Sequence, residues 1–272
     1  MNARELYKEI LKKRSCLCIG LDTDPRRIPL HLQRDAEPLF AFNRAIIDAT
    51  IDLAVAYKPN LAFYEAQGPE GLKQLEKTVD YIRSQDPNVL IIADAKRGDI
   101  GNTAELYARA FFIHYDFDAI TLSPYMGKDS VAPFLQFEGK WAILLALTSN
   151  AGAGDFQLRS LESGELLYER VMLESSGWGT TDNLMYVVGA TKPAHLKRIR
   201  EILPSHFLLI PGIGAQGGSL DEVLEHGWNP LGGLLINNSR GIIYAGEGRD
   251  FDEKARQAAL QMVESFRIRQ GF

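Results

Sequence analysis

The sequence predicts an α/β fold, a (β/α)8 or TIM barrel forming a single domain over residues 1–272. Three observations carry that expectation. Eight short apolar runs have strand length, a helical pattern follows most of them, and a helix closes the chain. A doubly wound sheet also alternates strand and helix, and the count of eight favours the barrel. The chain has 272 residues, 46% of them hydrophobic, a length that α/β barrels commonly use as one domain.

The expected strands are Cys16–Leu21, Ala54–Lys58, Val89–Ala95, Ala119–Leu122, Trp141–Leu147, Leu184–Gly189, Phe207–Ile210 and Leu231–Ile236. They show little polar alternation, as parallel strands buried on both faces should. The N-terminal stretch MNARELYKEILKKR is a charged amphipathic helix pattern rather than a signal peptide. Further helices are expected at Ala36–Asp52, Pro69–Ser84, Thr103–Phe112, Val131–Phe137, Gly164–Ser176, Pro193–Ile202, Leu220–Glu225 and Asp252–Arg269. Pro193 suits a first helical position and Asp252 an N-cap. One connection is long: 150–161, in a Gly- and Ala-rich stretch, is expected to be an active-site lid, with a tolerated surface insertion as the plainer alternative.

Composition narrows the function. With 30 Lys and Arg against 35 Asp and Glu, the net charge is −5, which argues against a general nucleic-acid binder. The longest apolar run, Trp141 to Leu147, falls far short of the roughly 20 residues that span a bilayer. Cys16 and Cys18 have neither redox-pair nor zinc spacing and read as reduced core residues. The expectation is a soluble, cytoplasmic enzyme without membrane or nucleic-acid partners.

A barrel carries its active site where the strands end. Polar groups gather there: Asp22 and Asp24 after the first strand, Lys58 on the second, and Asp94, Lys96 and Asp99 on and after the third. Ser123, Thr148–Asn150, Gly189–Thr191, Pro211–Gly218 and Asn237–Arg240 follow the others. Asp94 and Lys96, two residues apart, should project to one face of a strand. Lys58 on the neighbouring strand should stand beside Asp94, giving an alternating array of Lys58, Asp94, Lys96 and Asp99. A structural ion pair is the alternative for an isolated D-x-K-x-x-D pattern. The array has no His or Cys cluster around it, and the five histidines fall away from the strand ends. A carboxylate beside an ammonium suits decarboxylation: one repels the departing carboxylate, and the other stabilises or protonates the carbanion.

After the seventh strand, Gly212, Gly214 and Gly217 have G-x-G-x-x-G spacing. This is a weak dinucleotide signal, because no acid follows at the right distance. It suits a barrel phosphate loop, with Gly214, Gly217 and Gly218 exposing backbone amides and Arg240 supplying a bidentate charge.

The motifs CIGLDTDP, KPNLAFYEA, IIADAKRGDIGNTA, TLSPYMGKD, ALTSNAG, VVGAT, PGIGAQGG and NNSRGIIYA run nearly end to end. Their combination resembles the orotidine 5′-phosphate decarboxylase family, in particular its longer bacterial subgroup. The resemblance implies decarboxylation of orotidine 5′-monophosphate to uridine 5′-monophosphate and CO2, the last step of de novo UMP synthesis, with no metal and no cofactor. It assigns Asp94 to face the substrate carboxylate and Lys96 to stabilise and protonate the C6 carbanion, while Lys58 and Asp99 orient the array and contact the ribose. Asp99, Ile100 and Thr103 match positions that reach into a neighbouring subunit's site, implying a homodimer. Asp22 matches a ribose contact and Ser149 a pyrimidine contact. Gln216 and Arg240 match the phosphoryl grip, Ser239 joins the binding set, and 150–161 matches a closing lid.

Two other readings compete. Sugar-phosphate decarboxylases of the same superfamily share D-x-K-x-x-D but use Mg²⁺ and carry an acid where Lys58 stands. A catalytically silent phosphate-ligand module on the same barrel is the other.

Overall fold

The computed structural model describes residues 1–190, 193–213 and 218–271. Eight parallel strands close into a barrel in strict chain order. They are β1 (Leu17–Leu21), β2 (Ala56–Pro59), β3 (Leu90–Arg97), β4 (Ala119–Leu122), β5 (Trp141–Leu147), β6 (Leu184–Val188), β7 (Leu208–Pro211) and β8 (Leu234–Asn238). Pairing of β1 with β8, Leu17 opposite Ile236, closes the ring. Almost every strand residue is buried, because the barrel interior takes one face and the helical layer the other. Each expected strand is present, displaced by up to three residues at an end.

The first helix, α1 (Ala3–Lys13), covers the N-terminal end of the barrel. A capping box starts it: the Asn2 side chain accepts the Glu5 N–H and the Glu5 carboxylate accepts the Asn2 N–H. Trp141, opening β5, donates its indole N–H to the Met1 carbonyl at 2.8 Å. Lys13 Nζ donates to the carbonyls of Ile51 and Ala54 below β2. That end is thereby filled, which leaves the opposite end for a ligand.

Around the barrel run α2 (Pro38–Thr50), the short α3 (Leu61–Glu65), α4 (Gly68–Gln85), α5 (Gly101–Arg109), α6 (Leu167–Ser176), α7 (Pro193–Ile202) and α8 (Leu220–Gly227). A one-turn α9 (Arg240–Ile243) and α10 (Phe251–Gln270) follow. Two expectations are corrected here. Val131–Phe137 is no α-helix: Pro133 interrupts it and the segment holds only a short 3-10 turn at Phe134–Gln136, preceded by another at Lys128–Ser130. The N-cap of the last helix is Asp250, and Asp252 lies within the first turn, where its charge still favours the positive helix end.

Beneath β7 and β8, the Arg200 guanidinium donates to the carbonyls of Gly227, Leu203, His206 and Gly233. Burial lowers its pKa to about 10. Both cysteines are buried and free, as expected. Among the described residues, no helix is long and apolar enough to cross a membrane.

Candidate active site

The filled and open ends of the barrel differ in chemistry. At the open, C-terminal end lies a cavity of about 140 Å³ walled by Asp22, Lys58, Asp94, Pro211–Ile213 and Asn237–Arg240. Its residues come from the ends of β1, β2, β3, β7 and β8, so distant sequence positions meet only because the sheet closes.

Lys58, Asp94 and Lys96 come together as expected. Lys58 Nζ donates to Asp94 Oδ2 at 2.7 Å, and Lys96 Nζ donates to Oδ1 at 2.5 Å. Each carboxylate oxygen thus carries its own ammonium. Desolvation disfavours the ionised carboxyl of Asp94, but the charges of Lys58 and Lys96 outweigh it and hold the pKa well below the usual carboxylate range. Burial likewise acts against the Lys58 ammonium, and the Asp94 and Asp22 carboxylates overcome it to push the pKa up. Asp94 and Lys58 therefore stay charged at neutral pH.

The backbone route to this contact differs from simple strand alternation. Ala93 pairs with Ile120, and the next paired residues are Arg97 and Leu122, so a bulge holds Asp94–Lys96. Lys96 itself has φ +48°, the left-handed region, which costs a non-glycine residue about 1–3 kcal/mol. Thr121, buried on β4, lies opposite the bulge. Its Oγ1 accepts the N–H groups of Ala95 and Lys96 at 3.0 and 2.9 Å and donates to Asp94 Oδ1 at 3.1 Å. Sequence reading missed Thr121, because it sits inside an apolar strand and no local pattern signals a cross-strand bulge.

Asp22 also lies in the cavity wall, with Oδ1 buried and without a hydrogen-bond partner. An unpaired buried acceptor is costly, and a donor on a bound ligand would satisfy it. Asp24 turns away and pairs with Arg26, which lowers its pKa to about 2. Ser239 and Arg240 form the opposite wall, with Arg240 exposed. Gly20 admits this packing: a Cβ there would stand 1.8 Å from Ser239 Oγ. Asn237, among the polar strand-end residues expected at the mouth, is buried beside them; its Oδ1 lies 3.5 Å from Cys18 Sγ. Burial pushes the Cys18 thiol up to about 12 and keeps it protonated.

Other expected residues stand elsewhere. Asp99 makes no ion pair among the described residues; its Oδ1 accepts the Ile100 N–H at 2.8 Å. The alternating array therefore ends at Lys96 within this chain. Ile100, 52% exposed, and the exposed Thr103 point away with it at the start of α5. Ser149 does not line the cavity; it is half-buried at the end of β5, where a Cβ on Gly189 would come within 2.7 Å of its backbone. The Gly218 N–H donates to the Gly212 carbonyl at 3.2 Å, so Gly218 closes its own loop rather than presenting a free amide. Gly214, Gln216 and Gly217, like Thr191, lie outside the described residues.

The loop at 150–161 is folded onto its own base. The Gln157 carboxamide accepts the Thr148 N–H at 2.7 Å, and its carbonyl accepts the Tyr168 N–H from α6. Phe156 projects into solvent, 68% exposed. Among the described residues, no group of three or more His, Cys, Asp and Glu side chains is arranged to hold a metal ion.

Convergence of charge at the C-terminal mouth of a closed parallel barrel defines a (β/α)8-barrel enzyme. The profile of the orotidine 5′-phosphate decarboxylase / HUMPS family matches residues 15–255. The orotidine 5′-phosphate decarboxylase of Bacteroides fragilis (strain YCH46) is 56% identical over 264 residues, 97% of this chain and 96% of that protein. Its namesake from Porphyromonas gingivalis is 54% identical over 268 residues, 98% of this chain and 97% of that one. The solved structure of Leishmania donovani OMP decarboxylase superposes with a TM-score of 0.86 at 36% identity, covering 100% of both chains. The chain belongs to the orotidine 5′-phosphate decarboxylase / HUMPS family and is a carboxy-lyase.

Proposed function

We propose that this chain decarboxylates orotidine 5′-monophosphate to uridine 5′-monophosphate and CO2, the last step of de novo UMP synthesis, using the Lys/Asp array without metal or cofactor. One observation carries the reading: Asp94 holds one ammonium on each oxygen at the cavity wall. With both oxygens engaged, Asp94 has little to offer a divalent cation, which disfavours the Mg²⁺-dependent sugar-phosphate alternative.

In this reading the substrate carboxylate lies against Asp94 and is destabilised by like charge, while Lys96 waits at the reacting carbon. The C6–carboxylate bond breaks, CO2 leaves, and the electron pair stays on C6. Lys96 Nζ stabilises that pair and delivers its proton to it, then recovers a proton from solvent. Lys58 keeps Asp94 ionised and oriented. The unpaired Asp22 Oδ1 accepts a ribose hydroxyl. Arg240 and Ser239, with Gln216, Gly214 and Gly217, hold the phosphate, and Ser149 meets the pyrimidine. Phosphate binding far from C6 supplies energy for closing 150–161 as a lid over the single-domain barrel.

A cytoplasmic homodimer completes the reading. Asp99 makes no ion pair among the described residues, and apolar Ile100, Leu106, Tyr125 and Met126 are exposed on α5 and on the loop after β4. Such a patch suits a second copy, across which Asp99, Ile100 and Thr103 would reach the neighbouring site.

The test is an absorbance assay with orotidine 5′-monophosphate, with and without EDTA. Loss of substrate absorbance unaffected by chelator is expected. Turnover abolished by chelator would overturn the metal-free mechanism, and tight nucleotide binding without turnover would favour a silent binding module.

A further inference from the structure

The bulge in β3 removes two amides from the barrel ladder. Between the pairs Ala93–Ile120 and Arg97–Leu122, β3 has three intervening residues and β4 only Thr121. The N–H groups of Ala95 and Lys96 have no β4 carbonyl opposite them, and both point to the Thr121 hydroxyl. A hydroxyl has two acceptor lone pairs and one proton. Here both lone pairs are filled by the amides, and the proton has Asp94 Oδ1 at 3.1 Å as its nearer acceptor, ahead of the Ala93 carbonyl at 3.5 Å. Thr121 is 1% exposed, so no water can take over these bonds without opening the barrel.

From this geometry we infer that Thr121 is a positioning residue for the decarboxylation site. It is not among the residues that wall the cavity. Its two accepted bonds hold Lys96 in the left-handed conformation that turns the side chain back to Asp94. Its donated bond orients the carboxylate so that Lys58 and Lys96 reach opposite oxygens. A β-branched side chain suits the task, since its χ1 is restricted and the hydroxyl is aimed before the bulge forms. The inference rests on the reading that Asp94 and Lys96 perform the reaction.

The test compares Thr121→Val, which keeps the shape and loses the hydroxyl, with Thr121→Ser, which keeps the hydroxyl. For each, kcat and KM with orotidine 5′-monophosphate, affinity for uridine 5′-monophosphate, thermal unfolding and amide exchange at Ala95 and Lys96 are measured. Misplacement of reacting groups by about 1 Å can cost roughly 100-fold, so Thr121→Val should lose about 10- to 100-fold in kcat with product affinity nearly unchanged. Thr121→Ser should stay within about threefold of the parent. The two amides should exchange faster in the valine variant alone. Wild-type kcat in folded Thr121→Val, or equal losses in both variants, overturns the role. If Thr121→Val does not fold, Thr121→Cys takes its place, with a weaker donor and acceptor in a similar volume, under the same two outcomes. Lys96→Ala is assayed alongside. An inactive Lys96→Ala with a fully active Thr121→Val sinks only the positioning role, whereas an active Lys96→Ala removes the catalytic reading and this inference with it.

Discussion

Lys58 and Asp94 form a 2.7 Å ion pair between neighbouring strands of the barrel, each of them largely withdrawn from water. Removing one partner of such a pair leaves an uncompensated buried charge, and this costs more than the pair itself contributes. Lys58→Met should therefore destabilise the fold by about 3 kcal/mol, the low end of the usual range because Lys96 still faces Asp94. Urea denaturation gives the stability, and turnover of the folded variant should fall sharply. A variant as stable and as active as the parent would show the pair to be incidental.

Arg240 stands exposed at the cavity rim, free of any ion pair among the described residues. Hydrogen bonds to a charged group are worth about 1.5–3 kcal/mol. Arg240→Ala is expected to lower kcat/KM by roughly 100-fold on that scale, with both KM and kcat affected because lid closure depends on the phosphate grip. Steady-state kinetics separates the two parameters. Saturated turnover equal to the parent's would remove Arg240 from the closure.

Complementation tests the shared site. Lys96→Ala and Asp99→Ala should each be nearly inactive alone. Mixed and allowed to exchange subunits, they should recover about a quarter of parental activity, since half the dimers would be hybrids with one of two sites intact. Failure to regain activity in a mixture proven to contain hybrids would count against Asp99 crossing between subunits.

His206 lies buried between Tyr186 and Arg200 with both ring nitrogens unpartnered. Burial first, then the Arg200 charge, lowers its pKa from 6.5 to about 4. Between these values the unfolded chain binds a proton that the folded chain refuses, so stability falls as pH drops from about 6.5 towards 4. Above this window the group contributes no pH dependence. Within it the slope approaches about 1.4 kcal/mol per pH unit. His206→Phe should flatten this part of the stability profile, measured by denaturant midpoints from pH 7 to 4.5. An unchanged profile would assign the acid sensitivity to other groups.

Much of the site was legible in the residue order. Asp22, Lys58, Asp94, Ser239 and Arg240 each fall at the end of an apolar run, and a barrel brings strand ends together by construction. The convergence of Asp94 and Lys96 was also foreseen, although the route was not. Alternation would have sufficed on a regular strand, and the protein instead uses a bulge with a left-handed Lys96. Thr121 stayed invisible because its partners are backbone amides across the sheet, which no spacing along one strand encodes. The false helix at 131–137 arose from apolar periodicity alone; Pro133 lacks the amide that a helix interior requires.

By itself, the sequence determined the class of fold and which residues could meet at its mouth, because strand periodicity and strand-end chemistry are local properties. Tertiary structure alone decided the finer matters: that Asp94 is shared between two ammoniums, that Asp22 is left with an unpaired oxygen, and that Asp99 turns out of its own chain's array. These depend on register between strands and on burial. Both arise only when the sheet closes, excludes water, and makes each unpaired charge or amide costly.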